Sequence, residues 1–147
     1  MKDIAVNKRA YHDYLIVDKY EAGISLVGSE VKSLRAGKVS LKEAYVSFVH
    51  GEAFVKNMNI SIYKDATYNN HEENRERRLL LHKSEIKKLF NKCKLQGFTC
   101  IPLKIYFDDN GRIKLQIALA KGKTLYDKRM ADKKATMDKA AKQAIKR

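Results

Sequence analysis

Four adjacent side chains, Tyr126, Asp127, Lys128 and Arg129, bring together groups that can dock on RNA. A tyrosine ring can stack on a base, Lys and Arg can bond phosphates, and Asp can accept from a base or hold a neighbouring Arg. Just before them, Lys121-Gly122-Lys123-Thr124 sets a glycine between two lysines, where bare backbone can approach a phosphate. It lacks the glycine spacing of a phosphate loop. Catalytic chemistry finds no comparable set. His12, His50, His71 and His82 are scattered, and His71 with Glu72 and Glu73 is expected on a solvated loop. Asp108 and Asp109 precede Asn110-Gly111, where turn chemistry explains them better than metal binding does. No nucleophile–base pair or zinc spacing is present, so no enzyme, metal, cofactor or small-molecule substrate is expected.

The charge balance agrees with a binding role. The chain of 147 residues has 31 Lys and Arg against 17 Asp and Glu, a net charge of +14. Such a surface displaces counterions condensed on a polyanion, which leaves RNA, DNA and anionic membrane as partners. From Lys121 onward, ten Lys and Arg against three Asp give +7, half of the excess. No apolar run approaches the roughly 18 residues of a spanning helix, and Met1-Lys2-Asp3 opens without a hydrophobic signal core. A cytoplasmic protein is expected, with Cys93 and Cys100 as reduced core residues.

The elements that position these groups read as follows. Asn7-Lys8-Arg9-Ala10-Tyr11-His12 is polar and basic and leads into an apolar strand, Tyr14 to Val17. A turn at Glu21-Ala22-Gly23 separates it from a second apolar run, Ile24 to Val27. Ser29 can cap a short helix with Glu30 at its positive end, Val31 and Leu34 on one face and Gly37 as terminator. Ala44 to Val49 and Ala53 to Met58 form a hairpin about His50-Gly51. Lys64 to Arg78 is a polar stretch without periodicity. Ser84 can cap a helix with Ile86, Leu89, Phe90 and Cys93 on one face, ended by Gly97. Finally Ile101, Leu103, Ile105 and Phe107 alternate onto one face, Asp109-Asn110-Gly111 turns, and Ile113, Leu115, Ile117 and Leu119 alternate back. The opposite face, with Lys104, Tyr106, Lys114 and Gln116, is expected to be exposed and basic.

Three strands, a helix and two strands give the element order of an oligonucleotide-binding barrel. A split βαβ sheet or an SH3-like barrel fits the same order. The expected fold is mainly β, an oligonucleotide-binding (OB) barrel with embedded short helices. Residues 1–122 form the body and 123–147 a basic C-terminal tail. The tail contains no Gly or Pro, and its apolar stripe of Met130, Met137, Ala141 and Ala144 is too narrow to bury much. It is expected to be disordered when free and helical once an anionic partner neutralises its lysines. A generic solvated tail is the plain alternative. A helix lying on a membrane is disfavoured by the lack of Trp, Phe or Leu on the apolar face.

Several ordered motifs resemble one family. Asn7-Lys8-Arg9-Ala10, Tyr20 to Ile24, Gly28 to Arg35, Arg78 to Leu81, Ala120 to Lys123 and Asp127-Lys128-Arg129 are similar to small protein B, the bacterial family that binds transfer-messenger RNA. The resemblance spans nearly the whole chain and implies the OB fold. It also implies a role in trans-translation, the rescue of stalled ribosomes. In that role protein and RNA together mimic a transfer RNA, with the protein in place of the anticodon arm. The tail enters the decoding centre and messenger channel, and the stalled peptide is tagged for degradation. Carried over by position, Glu21, Leu80, Lys114, Lys121 and Lys123 match RNA-gripping residues, with Asn7, Lys8 and Arg9 beside them. Asp127, Lys128 and Arg129 match the tail motif needed for tagging, and Tyr126 is expected to stack in the decoding centre. The chain departs from the family pattern at Thr124, where a second Lys is usual, and at Ile62, where Pro is common. The alternative function is a general basic OB-fold protein of the ribosome or translation machinery.

Overall fold

A computed structural model describes residues 2–62 and 71–122. The tail residues Lys123, Tyr126, Asp127, Lys128 and Arg129, and the expected helix of the bound tail, lie outside them. The described chain runs β1 (Lys2–Val6), α1 (Lys8–Asp13), β2 (Tyr14–Ile24), α2 (Gly28–Arg35), β3 (Val39–Ser40), β4 (Tyr45–Val49), β5 (Glu52–Lys56), β6 (Asn59–Ile60), β7 (Arg77–Leu80), α3 (Lys83–Gln96), β8 (Thr99–Phe107) and β9 (Ile113–Gly122). Seven strands form one antiparallel sheet in the order β1-β8-β9-β2-β7-β5-β4, and β3 pairs with β6 separately. The sheet curls until β4 returns against β8. This is a mainly β, partly open barrel of the OB type with short helices set into it. No helix among the described residues is long and apolar enough to cross a membrane.

The barrel interior is filled by Ala22, Val46, Val55, Leu79, Ile105, Leu115, Ile117 and Leu119, with Ile86 and Leu89 of α3 packed on it. α3 stops at Gly97, whose φ of 72° is the left-handed value that only glycine adopts cheaply. Phe90, expected on the packing face of α3, is instead partly exposed and meets Phe48 edge to face, with ring centroids 6.5 Å apart. Cys100 is buried and Cys93 half-buried, and both are unpaired thiols. Burial pushes both up from their ordinary value.

A second, smaller core lies on the outside of the sheet. Ala10 of α1 packs there with Ile101, Leu103, Ala118 and Ala120. Its cause is a bulge in β8. Pro102 stands opposite Ile117 and Lys104 opposite Gln116, so Leu103 is one residue too many. An extra residue reverses which face the following side chains take. Ile101 and Leu103 therefore face α1 while Ile105 faces the barrel interior, and the single buried face expected for all four residues is corrected.

Other expectations also change. Glu21-Ala22-Gly23 is not a turn but lies inside β2, where Gly23 pairs with both Leu80 of β7 and Lys114 of β9. Ser25 to Val27 lie beyond that strand and lead into α2. Ser29 does not cap α2. The backbone N–H of Val27 donates to Glu30 Oε1 instead, while Ser29 Oγ bonds His71 Nδ1 at 2.9 Å. His71, expected in solvent, is 7% exposed and its Nε2 donates to the carbonyl of Ile60 at 2.7 Å. Ser84 is likewise inside α3, whose cap is His82 with its N–H bonded to Glu85. The basic segment Asn7 to His12 forms α1, capped by the Asn7 side chain, which accepts from Ala10 N–H, and β1 precedes it. The stretch expected to lack regular structure ends in β7, and its Arg75 and Arg77 reach back to α2.

That last contact ties the sheet to α2. Arg77 and Glu30 are each 0% exposed and meet at 2.6 Å. Arg75 adds bonds of 2.7 and 3.2 Å to the two oxygens of the same carboxylate. Arg77 also donates to the carbonyls of Met58 and Glu73. Burial alone would raise the Glu30 pKa, but the bonds from Arg75, the Val27 N–H and Arg77 outweigh it and hold the carboxyl below its ordinary value.

Candidate nucleic-acid interface

Even-numbered residues of β9 face outward and odd-numbered ones inward, as the period of a strand requires. Lys114, Gln116, Ala118 and Ala120 thus share the outer face, the last two beneath α1. Cross-strand register carries that face across the sheet. Tyr106 of β8, Lys114 of β9, Gly23 of β2 and Leu80 of β7 form one row. Lys104, Gln116 and Glu21 form the row beside it. Three residues singled out in the sequence, Glu21, Leu80 and Lys114, therefore meet at one place.

Leu80 is 54% exposed, although its neighbour Leu79 is buried. It lies over Gly23, because a Cβ there would stand 3.2 Å from the Leu80 Cβ and 3.4 Å from its Cδ1. Gly23 is thus the floor on which Leu80 lies flat. Gly23→Ala is expected to cost about 1 kcal/mol by overpacking, read as a lower urea midpoint. Leu80→Gly in the same chain should relieve that clash, whereas Leu80→Ala, which keeps the Cβ, should relieve only part of it.

Glu21 accepts a hydrogen bond from Tyr106 Oη. Tyr106 is only 3% exposed, which corrects the expectation of an exposed ring. Burial first, then the bond to Glu21, pushes its phenol well above the ordinary value, so it stays a donor at neutral pH. Lys104 lies 5.3 Å from the centre of the Tyr106 ring and 3.4 Å from Asp3. Lys114 has no ion-pair partner among the described residues.

A groove of about 1200 Å³ opens beside this row, between β7, the β4–β5 hairpin and α3. Glu21, Leu80 and Lys114 line one side, and Lys83, Lys87 and Phe90 line the α3 side. Sequence alone marks neither lysine for the site, and it puts Phe90 on the packing face of α3 rather than in a groove. The four-residue spacing of Lys83 and Lys87 places them on one helix face, which was the available signal. Arg78, also in the groove, pairs with Glu52 at 3.1 Å on the surface.

The remaining candidates lie elsewhere. Lys8 and Arg9 sit on α1, over the other end of the outer face, with Lys19 between, 5.8 Å from the Tyr11 ring centre. From the Lys19–Ala118 pair to Lys114 is about 13 Å along β9, at roughly 3.3 Å per residue. Arg9 is engaged by Asp13 at 3.0 Å and Glu43 at 3.4 Å. Asn7 is buried, and its amide donates to the carbonyls of Leu41 and Pro102, so its bonds serve the fold. Lys121 lies seven residues from Lys114 and hence on the opposite face, 4.7 Å from the Phe98 ring centre.

A partly open OB barrel with a lysine-bearing outer face and an adjoining groove belongs to the nucleic-acid-binding class. A family model described as SmpB protein matches residues 4–147, and the chain belongs to that family. It is similar to the SsrA-binding protein of a Nitratiruptor species, 54% identical over 149 residues that cover 99% of this chain and 98% of that one. The SsrA-binding protein of Thermosipho melanesiensis is 49% identical, with 99% of each chain covered. A solved structure described as "tmRNA-SmpB: a journey to the center of the bacterial ribosome" contains a chain that matches with a TM-score of 0.71. That chain is 46% identical, and the match covers 93% of this chain and 96% of that one.

Proposed function

We infer that this protein binds transfer-messenger RNA and acts with it on stalled ribosomes in trans-translation. The observation that carries the inference is that relatives about half identical along the whole chain are SsrA-binding proteins. Residues 1–122 grip the RNA and residues 123–147 serve the ribosome. Glu21, Leu80 and Lys114 hold the RNA at the groove, with Lys8, Arg9, Lys121 and Lys123 as further backbone contacts and Asn7 placing α1. Protein and RNA together mimic a transfer RNA, the protein standing for the anticodon arm. Tyr126, Asp127, Lys128 and Arg129 enter the empty decoding centre of the small subunit. The ribosome then resumes on the RNA's own reading frame and adds a degradation tag.

The protein is a ligand rather than an enzyme in this scheme, because peptide transfer belongs to the ribosome, and it works in the cytoplasm. Its chemistry is electrostatic and steric. Lysines displace counterions, so affinity is expected to fall steeply with salt. The test is a cell-free translation of a message without a stop codon, supplied with transfer-messenger RNA. Tagged peptide is expected only when the protein is added. Tagging without it, or none with it, contradicts the function.

A further inference from the structure

We propose that Glu21, oriented by Tyr106, reads one unpaired guanine of the bound RNA, with Leu80 as the platform for the base and Lys114 for its phosphate. This deepens the RNA-binding reading above and rests on it. A carboxylate on a surface meant for phosphates is unfavourable unless it bonds something that phosphate cannot replace. Glu21 is exposed, lies one row from Lys114, and forms no ion pair among the described residues. Its charge is therefore directed at the ligand rather than neutralised within the protein.

The shape of the donor decides which base it takes. An ionised carboxylate only accepts, through two parallel oxygens. Guanine alone among the four RNA bases presents two adjacent donors on its Watson–Crick edge, N1–H and the N2 amino group. Adenine and cytosine each set their amino group beside an acceptor nitrogen, and uracil sets its N3–H between two carbonyls, so each would turn a lone pair toward a Glu21 oxygen. Single-stranded RNA is read by this pairing of edge and platform. The platform is present, because Leu80 lies over Gly23 and leaves a flat apolar surface one row from the carboxylate.

Tyr106 is the positioning residue. Its hydroxyl holds one carboxylate oxygen and leaves lone pairs on both for the base. The tyrosine is itself packed, with Lys104 against its ring and Asp3 on Lys104. A contact fixed in this way discriminates better than a mobile one, because less freedom is lost on binding.

The test uses the full-length protein and the transfer-RNA-like part of transfer-messenger RNA, with each unpaired guanosine of its loops replaced in turn by inosine. Inosine lacks only the N2 amino group. One position is expected at which this change weakens binding about tenfold. In Glu21→Gln the penalty at that position should shrink to within about twofold, and in Tyr106→Phe it should fall while the thermal midpoint stays near wild type. Lys114→Ala should weaken both RNAs equally and preserve the penalty. The proposal is overturned if wild type binds tightly but no inosine matters, or if the penalty persists in Glu21→Gln. Failure of wild type to bind the unmodified RNA would overturn the RNA-binding reading itself.

Discussion

Replacing Glu30 with Ala is expected to cost about 3–5 kcal/mol of folding stability, because it leaves the Arg77 guanidinium buried without a counter-charge. Against a total of roughly 5–15 kcal/mol for a domain, that loss is a large fraction of the stability and should appear as a much lower urea midpoint. The cost is large because three donors converge on one carboxylate, the Arg75 and Arg77 guanidinium groups and the Val27 N–H. Losing it frees α2 from β7 and from the segment that follows residue 70. The same group sets an acid limit. The Glu30 pKa is held below its ordinary value of 4.5, so its contribution is complete above that value and is lost as pH falls through the lower, folded value. Urea midpoints taken from pH 6 downward should fall in wild type and fall less in Glu30→Gln. Equal slopes would show that the pair carries no linkage.

Exchanging Asp127 and Lys128 together for Ala is expected to abolish tagging while changing the affinity for transfer-messenger RNA by no more than about twofold, at most 0.4 kcal/mol. The reason is the division of labour proposed above, in which the outer face of the barrel holds the RNA and these two residues belong to the segment that enters the decoding centre. Gel-shift binding and a nonstop translation assay on the same preparation measure the two effects. If tagging survives, the tail motif has been given the wrong role. If binding collapses as well, the tail is part of the RNA grip and the boundary at residue 122 fails.

The parts of this fold that were legible in the sequence are those whose signal is local. The β8–β9 turn follows from Asp108, whose carboxylate accepts from the N–H groups of Asn110 and Arg112, and from Gly111 at φ 78°. The β4–β5 turn likewise follows from His50-Gly51, both at positive φ, the two-residue hairpin geometry. α3 followed from its apolar spacing and Gly97. What was not legible depends on residues far apart in the chain. Glu30 and Arg77 are 47 residues apart and Glu21 and Tyr106 are 85 apart, so neither pair leaves a local pattern. The bulge at Leu103 was hidden for another reason. Apolar residues fill both faces of β8 at that point, and alternation cannot report a change of face when both faces are buried.

The candidate site divides in the same way. Glu21, Leu80 and Lys114 came from motif resemblance, and the register of β7, β2 and β9 brings them together. Lys83 and Lys87 carry no such mark in the sequence, because lysines on the polar side of an amphipathic helix look like an ordinary solvated face. Their meaning comes from the groove they border. Asn7 illustrates the reverse case. A residue within a motif shared with an RNA-binding family spends its side chain on Leu41, Pro102 and Ala10. A motif shared across the family can therefore encode the scaffold.

Specific recognition of transfer-messenger RNA is tested by the ratio of dissociation constants for that RNA and an ordinary transfer RNA at one physiological salt concentration. The ratio should be measured for the full chain and for a chain ending at Gly122. Both are expected to prefer transfer-messenger RNA by about tenfold or more, at least 1.4 kcal/mol, which makes the barrel the specific reader. Equal affinity of the full chain for the two RNAs would contradict the account and leave only a basic barrel that binds structured RNA through its charge.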